Sequence, residues 1–265
     1  MKWMKFRWLY LLISGTLIIC GLFSMLRWGF KIGIDFTGGS RLEFRLPDGS
    51  VKTVKSGVID QTKREKIKTD IEKEVGGSVT EIKYENVGPT VGPEMVKKTI
   101  YALVISTAAI LLWIAYQFKN FKFGISATLA TIHDSLIVIG SFSILGHFFG
   151  AELDFLFVTA VLTILSFSVH DTIVVFDRIR EMRKGSSAEL SEFADIAISE
   201  TMVRSINNSF TIIFMLLALI LLGGDTIRWF AVALLVGTVS GTYSSPFVAV
   251  SILVTWDEIS KKLKK

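Results

Sequence analysis

The sequence predicts a polytopic α-helical membrane protein: six transmembrane helices with a small extracytoplasmic α+β domain between helices 1 and 2. Three observations predict it. The chain is 51% hydrophobic over 265 residues, and its mean hydropathy is +0.52, too apolar for an ordinary water-soluble domain. The apolar residues gather into six runs, each close to the roughly 20 residues that cross a bilayer as a helix. One long polar segment separates the first run from the second, and its patterning is that of short strands and an amphipathic helix.

Residues 1–26 hold a basic start, with Lys2, Lys5 and Arg7, and an apolar run from Trp8 to Leu26. The run is longer than a signal-peptide core and has no small-x-small exit, so it reads as a retained first span with its amino terminus inside. Residues 27–98 form the inserted domain. Gly33-Ile34-Asp35-Phe36-Thr37-Gly38-Gly39-Ser40 is a turn-rich entry, and Arg41 to Leu46 alternates with period two, as a strand does. Pro47-Asp48-Gly49 is a turn. From Asp60 to Val75 the residues Ile67, Ile71 and Val75 fall at helical spacing, and Gly76-Gly77 ends that helix. Val79 to Tyr84 alternates again, so the domain is at least strand–helix–strand. Gly88-Pro89-Thr90-Val91-Gly92-Pro93 leads back to the membrane, Pro93 suiting a first helical turn.

Residues 99–256 carry spans two to six, at Thr99–Phe118, Phe123–Phe149, Leu153–Phe176, Val203–Leu222 and Ile227–Trp256. A connection at 178–203 separates spans four and five. Within it, Ser186-Ser187-Ala188-Glu189 reads as a capping box. Leu190, Phe193, Ala194 and Ala197 then share one face, predicting a short amphipathic helix on the inner surface. In span six, Gly237-x-x-x-Gly241 with Ser240, Ser244 and Ser245 predicts close helix packing within the chain. Residues 257–265 are a basic tail. The connections at Lys119–Lys122 and Arg178–Arg204 are basic, whereas Gly150–Asp154 and Gly223–Thr226 contain no Lys or Arg. The positive-inside rule then places both termini in the cytoplasm and the 27–98 domain outside.

In a membrane protein a formal charge of +5 reads as Lys and Arg of cytoplasmic connections rather than as a nucleic-acid footprint, and the 27–98 domain, itself rich in Lys, crosses largely regardless of its charge. No basic stripe with interleaved aromatics accompanies it, so nucleic acid is not an expected partner. The one cysteine, Cys20, lies in the first span and cannot make an intrachain disulfide.

Ionisable groups inside the spans carry the functional reading. Span three contains Thr131-Ile132-His133-Asp134-Ser135, and span four contains Ser168-Val169-His170-Asp171-Thr172. A charged carboxylate at mid-bilayer costs ~3 kcal/mol on insertion scales, so such a residue is normally used. The two His-Asp pairs fall at similar depth in neighbouring, oppositely directed spans, which predicts two carboxylates and two imidazoles brought together. Three chemistries stand open. Asp171, and secondarily Asp134, serves as a proton relay; the four side chains bind a metal or run a hydrolysis; or the pairs are interhelical hydrogen-bond glue. No His-Glu-x-x-His spacing supports the second. Arg204 opens span five and is either an interface anchor with Glu200 as local partner or the counter-charge of Asp171. Gly223-Gly224-Asp225 falls at a predicted turn and has no mid-span Tyr-Asp partner, which argues against an intramembrane aspartyl protease.

Taken together, several of these segments resemble the SecD/SecF family of protein-export membrane proteins, on the side of its smaller, SecF-type members, within the resistance–nodulation–division superfamily. They are Gly33-Ile34-Asp35-Phe36-Thr37-Gly38-Gly39, Gly88-Pro89-x-Val91-Gly92, His133-Asp134, and Asp171 followed by Val174-Val175-Phe176-Asp177-Arg178-Ile179-Arg180-Glu181. The resemblance runs over almost the whole chain. It implies a SecD-like partner subunit that brings six further spans and a larger external domain. It also implies work beside a SecYEG-type channel and a YidC-like insertase in the plasma membrane of a prokaryote. The pair would use the proton-motive force to draw an unfolded preprotein outward. Matching the family's membrane carboxylate and basic residue onto this sequence gives Asp171 and Arg204, with Asp134, His133 and His170 as further relay candidates. No cofactor or metal is implied, and no enzymatic reaction. A small-molecule or lipid exporter subunit and a passive assembly scaffold are the alternatives.

Overall fold

The computed structural model describes residues 2–57, 59–88, 91–183 and 188–263. Pro89, Thr90, Ser186, Ser187 and Lys264-Lys265 lie outside the described residues, as does the first half of the expected capping box. The described chain divides into two compact units, residues 32–102 and a second made of 1–31 and 103–265.

The smaller unit is built on an antiparallel sheet of order β2-β1-β3, from β1 (Gly39–Arg45), β2 (Val51–Ser56) and β3 (Thr80–Val87). A single helical turn, α2 (Ile34–Thr37), precedes the sheet, and α3 (Gln61–Val75) connects β2 to β3. Alternation in β1 puts Leu42 and Phe44 on one face, both fully buried, where they meet Ile59, Ile71 and Val79. The Asp60 carboxylate caps α3 by accepting from the Lys63 amide at 2.8 Å, and Gly76 ends it in the left-handed conformation at φ 70°. Beyond the expected strand–helix–strand, Val51–Ser56 forms an edge strand. Its residues alternate between exposed and half-buried, with Val54 packing on the sheet's core from the half-buried face. The glycine-rich entry packs against Gly92: a Cβ there would fall 2.5 Å from the Phe36 carbonyl oxygen. Only glycine permits that approach.

The larger unit is helical, and among the described residues six helices are long and apolar enough to span a bilayer. They are α1 (Arg7–Trp28), α4 (Val91–Phe118), α5 (Phe121–Phe149), α6 (Phe155–Arg183), α7 (Leu190–Leu222) and a sixth composed of α8 (Asp225–Ser244), a π turn (Ser245–Ala249) and α9 (Val250–Lys262). Helices α5, α6 and α8 form the packed centre, with α1 against α5 and α7 against α6 and α8. Small residues set the closest approaches. A Cβ on Gly140 would stand 2.7 Å from the Gly21 Cα, and Gly237 receives the side chain of Ile164. Gly241 faces Ser168 of α6, so the Gly237/Gly241 pair serves packing within this chain.

One element differs from the sequence expectation. The short amphipathic helix predicted after Glu189 is not separate. It is the beginning of α7, a continuous helix of 33 residues. Likewise α6 runs on to Arg183, so most of 178–203 is helix. The reason is packing: Leu190, Phe193, Ala194, Ala197 and Ile198 bury their shared face against Phe176, Ile179, Leu253 and Val254 of the neighbouring helix ends. The N-terminus closes the same end. The 3-10 turn Trp3–Phe6 lies on α7, where the Met4 amide donates to the Asp195 carboxylate at 2.7 Å and Trp3 Nε1 donates to Ser199 Oγ at 2.9 Å.

Candidate functional site

The two His-Asp pairs do not converge. Their helices are neighbours, but each carboxylate faces a different helix. Asp134 is fully buried and receives four contacts: Ser168 Oγ of α6 at 2.5 Å, Ser240 and Ser244 Oγ of α8 at 2.6 Å each, and His133 Nδ1 at 3.0 Å. An ionised carboxylate has about four lone-pair positions, and this site fills that capacity from three helices. The same polar seam continues into the π turn. Thr172 Oγ1 donates to Ser245 Oγ at 3.0 Å, and Ser245 Oγ donates to the Ser168 carbonyl at 3.1 Å. A π turn shifts the side-chain register of the helix by about one residue. Here it puts Ser244 and Ser245 on the α5–α6 side together.

Asp171 lies three residues past Ser168, about 60° short of a full helical turn. That offset turns it away from Asp134 and toward α7. It is 5% exposed and accepts a hydrogen bond from Ser205 Oγ at 2.5 Å. A cavity of about 240 Å³ opens beside it, lined by His170, Asp171, Thr201, Arg204, Ser205 and Asn208 among others. His170 and Arg204 are exposed, whereas Asp171 sits at the cavity's buried end. Arg204 and His170 are basic side chains that line the same cavity as the Asp171 carboxylate. Among the described residues no carboxylate stands within 4 Å of the Arg204 guanidinium.

Of the two readings of Arg204, the one that gave it Glu200 as a local partner is not what the structure has: Glu200 accepts from Arg178 Nε of α6 at 2.5 Å. On a helix, residues 200 and 204 share a face, but α6 lies alongside and supplies a competing guanidinium. Farther along the same seam, Thr242 Oγ1 of α8 donates to Ser209 Oγ of α7 at 2.6 Å.

The expected sites thus separate. Asp171, Arg204 and His170 are brought together around one cavity, and Asp134 with His133 forms a second, sealed cluster. Sequence reasoning missed Ser205 as the Asp171 donor. It also read Ser240 and Ser244 only as small packing residues, although their spacing of four places both hydroxyls on one face. A metal site drawing on both His-Asp pairs is contradicted by this divergence. Among the described residues no group of three His, Cys, Asp or Glu side chains could hold a metal ion.

Comparison with known proteins agrees with this architecture. The family model described as protein export membrane protein SecD/SecF, C-terminal, matches residues 67–259. The protein translocase subunit SecF of Thermobaculum terrenum is 40% identical over an alignment covering 96% of this chain and 93% of that relative. The SecDF translocase subunit of Bacillus subtilis is 29% identical, with 97% of this chain aligned to 38% of the longer protein. Among solved structures, SecDF from Thermus thermophilus, described as a translocon-associated membrane protein, superposes with a TM-score of 0.87 at 29% identity. The match covers 96% of this chain and 38% of that one, so the matched residues correspond to well under half of that SecDF chain. From its sequence, its helical core and its inserted domain, the chain belongs to the SecD/SecF family of protein-export membrane proteins, among the SecF-type subunits.

Proposed function

We propose that this chain is the SecF-type half of a proton-driven accessory to protein export, with Asp171 as its exchangeable proton site. The observation that carries the reading is the buried Asp171 carboxylate, with a single hydroxyl donor, at the end of a polar cavity that it shares with Arg204 and His170. A carboxylate there has unfilled acceptor positions, room for water and a nearby fixed cation. Protonation therefore changes which contacts α6 and α7 prefer. One elementary charge in a potential of 100 mV is worth about 2.3 kcal/mol, enough to shift a two-state equilibrium by more than tenfold. Asp134, in contrast, is filled with donors and has no part of that cavity. In this reading it and His133 hold the helices in place rather than exchange protons.

The partner is a SecD-like subunit, supported by relatives in which the two halves form one chain. The working assembly further includes a SecYEG-type channel, a YidC-like insertase, lipid and the unfolded preprotein being exported. The protein sits in the plasma membrane of a prokaryote, with both termini in the cytoplasm and the sheet domain outside. Supporting that orientation, one end of the bundle collects the basic residues: Arg7 pairs with Glu258, Lys122 with Asp257, and Arg180 donates to the Gln117 carbonyl. The chain catalyses no covalent step.

The test is export completion in vesicles containing this chain, its SecD-like partner and the channel. An imposed proton gradient should speed release of a stalled preprotein, and Asp171→Asn should abolish that acceleration while leaving release without an imposed gradient unchanged. Acceleration retained in Asp171→Asn would place the proton work in the partner and make this chain a scaffold.

A further inference from the structure

Helices α1 and α5 lie side by side in constant register. Gly21 meets Gly140 backbone to backbone, and Ser24 Oγ donates to Ser143 Oγ at 2.8 Å. Both pairs have the same sequence offset, 119 positions. Moving back seven residues from Gly21, two helical turns on the same face, that offset sets Ser14 opposite His133. Both are buried, at 3% and 6% exposure. Among the described residues, His133 Nε2 and Ser14 Oγ are buried side-chain atoms without a hydrogen bond of good geometry, Ser14 Oγ having only the Tyr243 hydroxyl beside it. The other ring nitrogen, Nδ1, is engaged by Asp134 at 3.0 Å, so the ring's orientation is fixed and Nε2 points away from that cluster. The Tyr243 hydroxyl of α8 lies beside Ser14 and donates to the Tyr10 carbonyl, one turn earlier on α1, at 2.9 Å.

A buried polar atom left unpaired costs ~1–3 kcal/mol. Two such atoms, on facing helices at the same level with a third hydroxyl alongside, match the usual surroundings of an internal water, which makes about three hydrogen bonds. We propose that one buried water molecule binds between His133 Nε2, Ser14 Oγ and the Tyr243 hydroxyl, tying α1 into the Asp134 cluster. The polar chain then runs from α1 through the water to His133, on to Asp134, and from there to Ser168, Ser240 and Ser244. It links α1, α5, α6 and α8 into one frame. Helix α7 meets this frame through Ser205–Asp171 and Thr242–Ser209 and stays outside the chain of bonds. The water gives His133 a role independent of proton exchange at Asp171.

Thermal unfolding of the full-length chain in lipid nanodiscs tests the site, using Ser14→Ala, His133→Gln, their combination, and Ser14→Asn. Each of the first two should lower the midpoint, and the double variant should lie no lower than the worse single, because both remove the same bridge. Ser14→Asn, whose amide can occupy the water's place and reach Nε2, should recover most of the loss seen with Ser14→Ala. Additive losses, or a Ser14→Asn midpoint at or below that of Ser14→Ala, would overturn the proposal. A high-resolution density map of the unmodified protein is a second test that needs no variant. A water peak within hydrogen-bonding distance of Nε2 supports the site, and an Nε2 packed against carbon atoms eliminates it.

Discussion

At the scale of single residues, the same side chain does different work in two places. Asp134 and Asp171 each follow a histidine and each accept from a serine on the next helix, Ser168 and Ser205 respectively. What separates them is the number of donors and access to a cavity. The sequence shows two similar octets and cannot show which face each turns to its neighbours, because that depends on helix phase and crossing. The pairing of Glu200 was illegible for a similar reason: its guanidinium partner, Arg178, comes from another helix. Because both side chains of that ion pair are 40–45% exposed, Glu200→Gln should leave stability almost unchanged. A chemical-denaturation curve nearly superposable on that of the unmodified protein is the expected result. In the sheet domain, Asp48 accepts from the Ser50 hydroxyl at 2.6 Å and the Ser50 amide at 2.9 Å. These bonds hold its carboxyl below the ordinary Asp range. A lowered folded-state value means the contribution is present above the unfolded value and is lost as pH falls through the folded one. Hydrogen exchange at the Ser50 amide should therefore lose protection on acidification, relative to the chemical exchange rate, and Asp48→Ala should lose it at every pH.

Elements were more legible than residues. Continuous apolar runs specify spans regardless of tertiary detail, and α3 announced itself through its Asp60 start and Gly76 stop. The edge strand Val51–Ser56 was missed because no face of it is more than half-buried. The continuity of α7 was missed because hydropathy marks where a helix enters apolar surroundings, not where it ends. The amphipathic start of α7 is structural, so Ile198→Ala, at a fully buried position, should cost ~2–5 kcal/mol. A lowered denaturation midpoint in detergent measures it. The α1–α5 seam should be equally intolerant of bulk. Gly140→Val would drive side-chain carbon into the Gly21 backbone, and such overpacking typically costs ~1–3 kcal/mol. If Gly140→Val unfolds at the same midpoint as the unmodified protein, α1 does not pack where the structure puts it.

In the proposed function the helical unit is read as a frame with α7 as the part that moves. The centre of α5, α6 and α8 is held by the Asp134 cluster and by glycine contacts, and α7 meets Asp171 at its margin. Orientation in the bilayer was read from the distribution of Lys and Arg, and labelling can check it. In a Cys20→Ser background, a cysteine at Lys2 should react with an impermeant reagent only from the cytoplasmic side, and one at Lys63 only from the opposite side. Reaction of both from the cytoplasmic side would contradict the proposed function, since the sheet domain would then face the wrong compartment.

The proposed function depends above all on Asp171 taking up and releasing a proton. Infrared difference spectroscopy of the chain with its SecD-like partner, with aspartate carboxyls isotope-labelled, reads this directly as pH is varied through the neutral range. The predicted result is a protonated-carboxyl band that changes reversibly with pH and is absent in Asp171→Asn, while Asp134→Asn leaves that band in place. A titrating band that survives Asp171→Asn and disappears in Asp134→Asn would contradict it, and would move the proton site into the cluster assigned here to the frame.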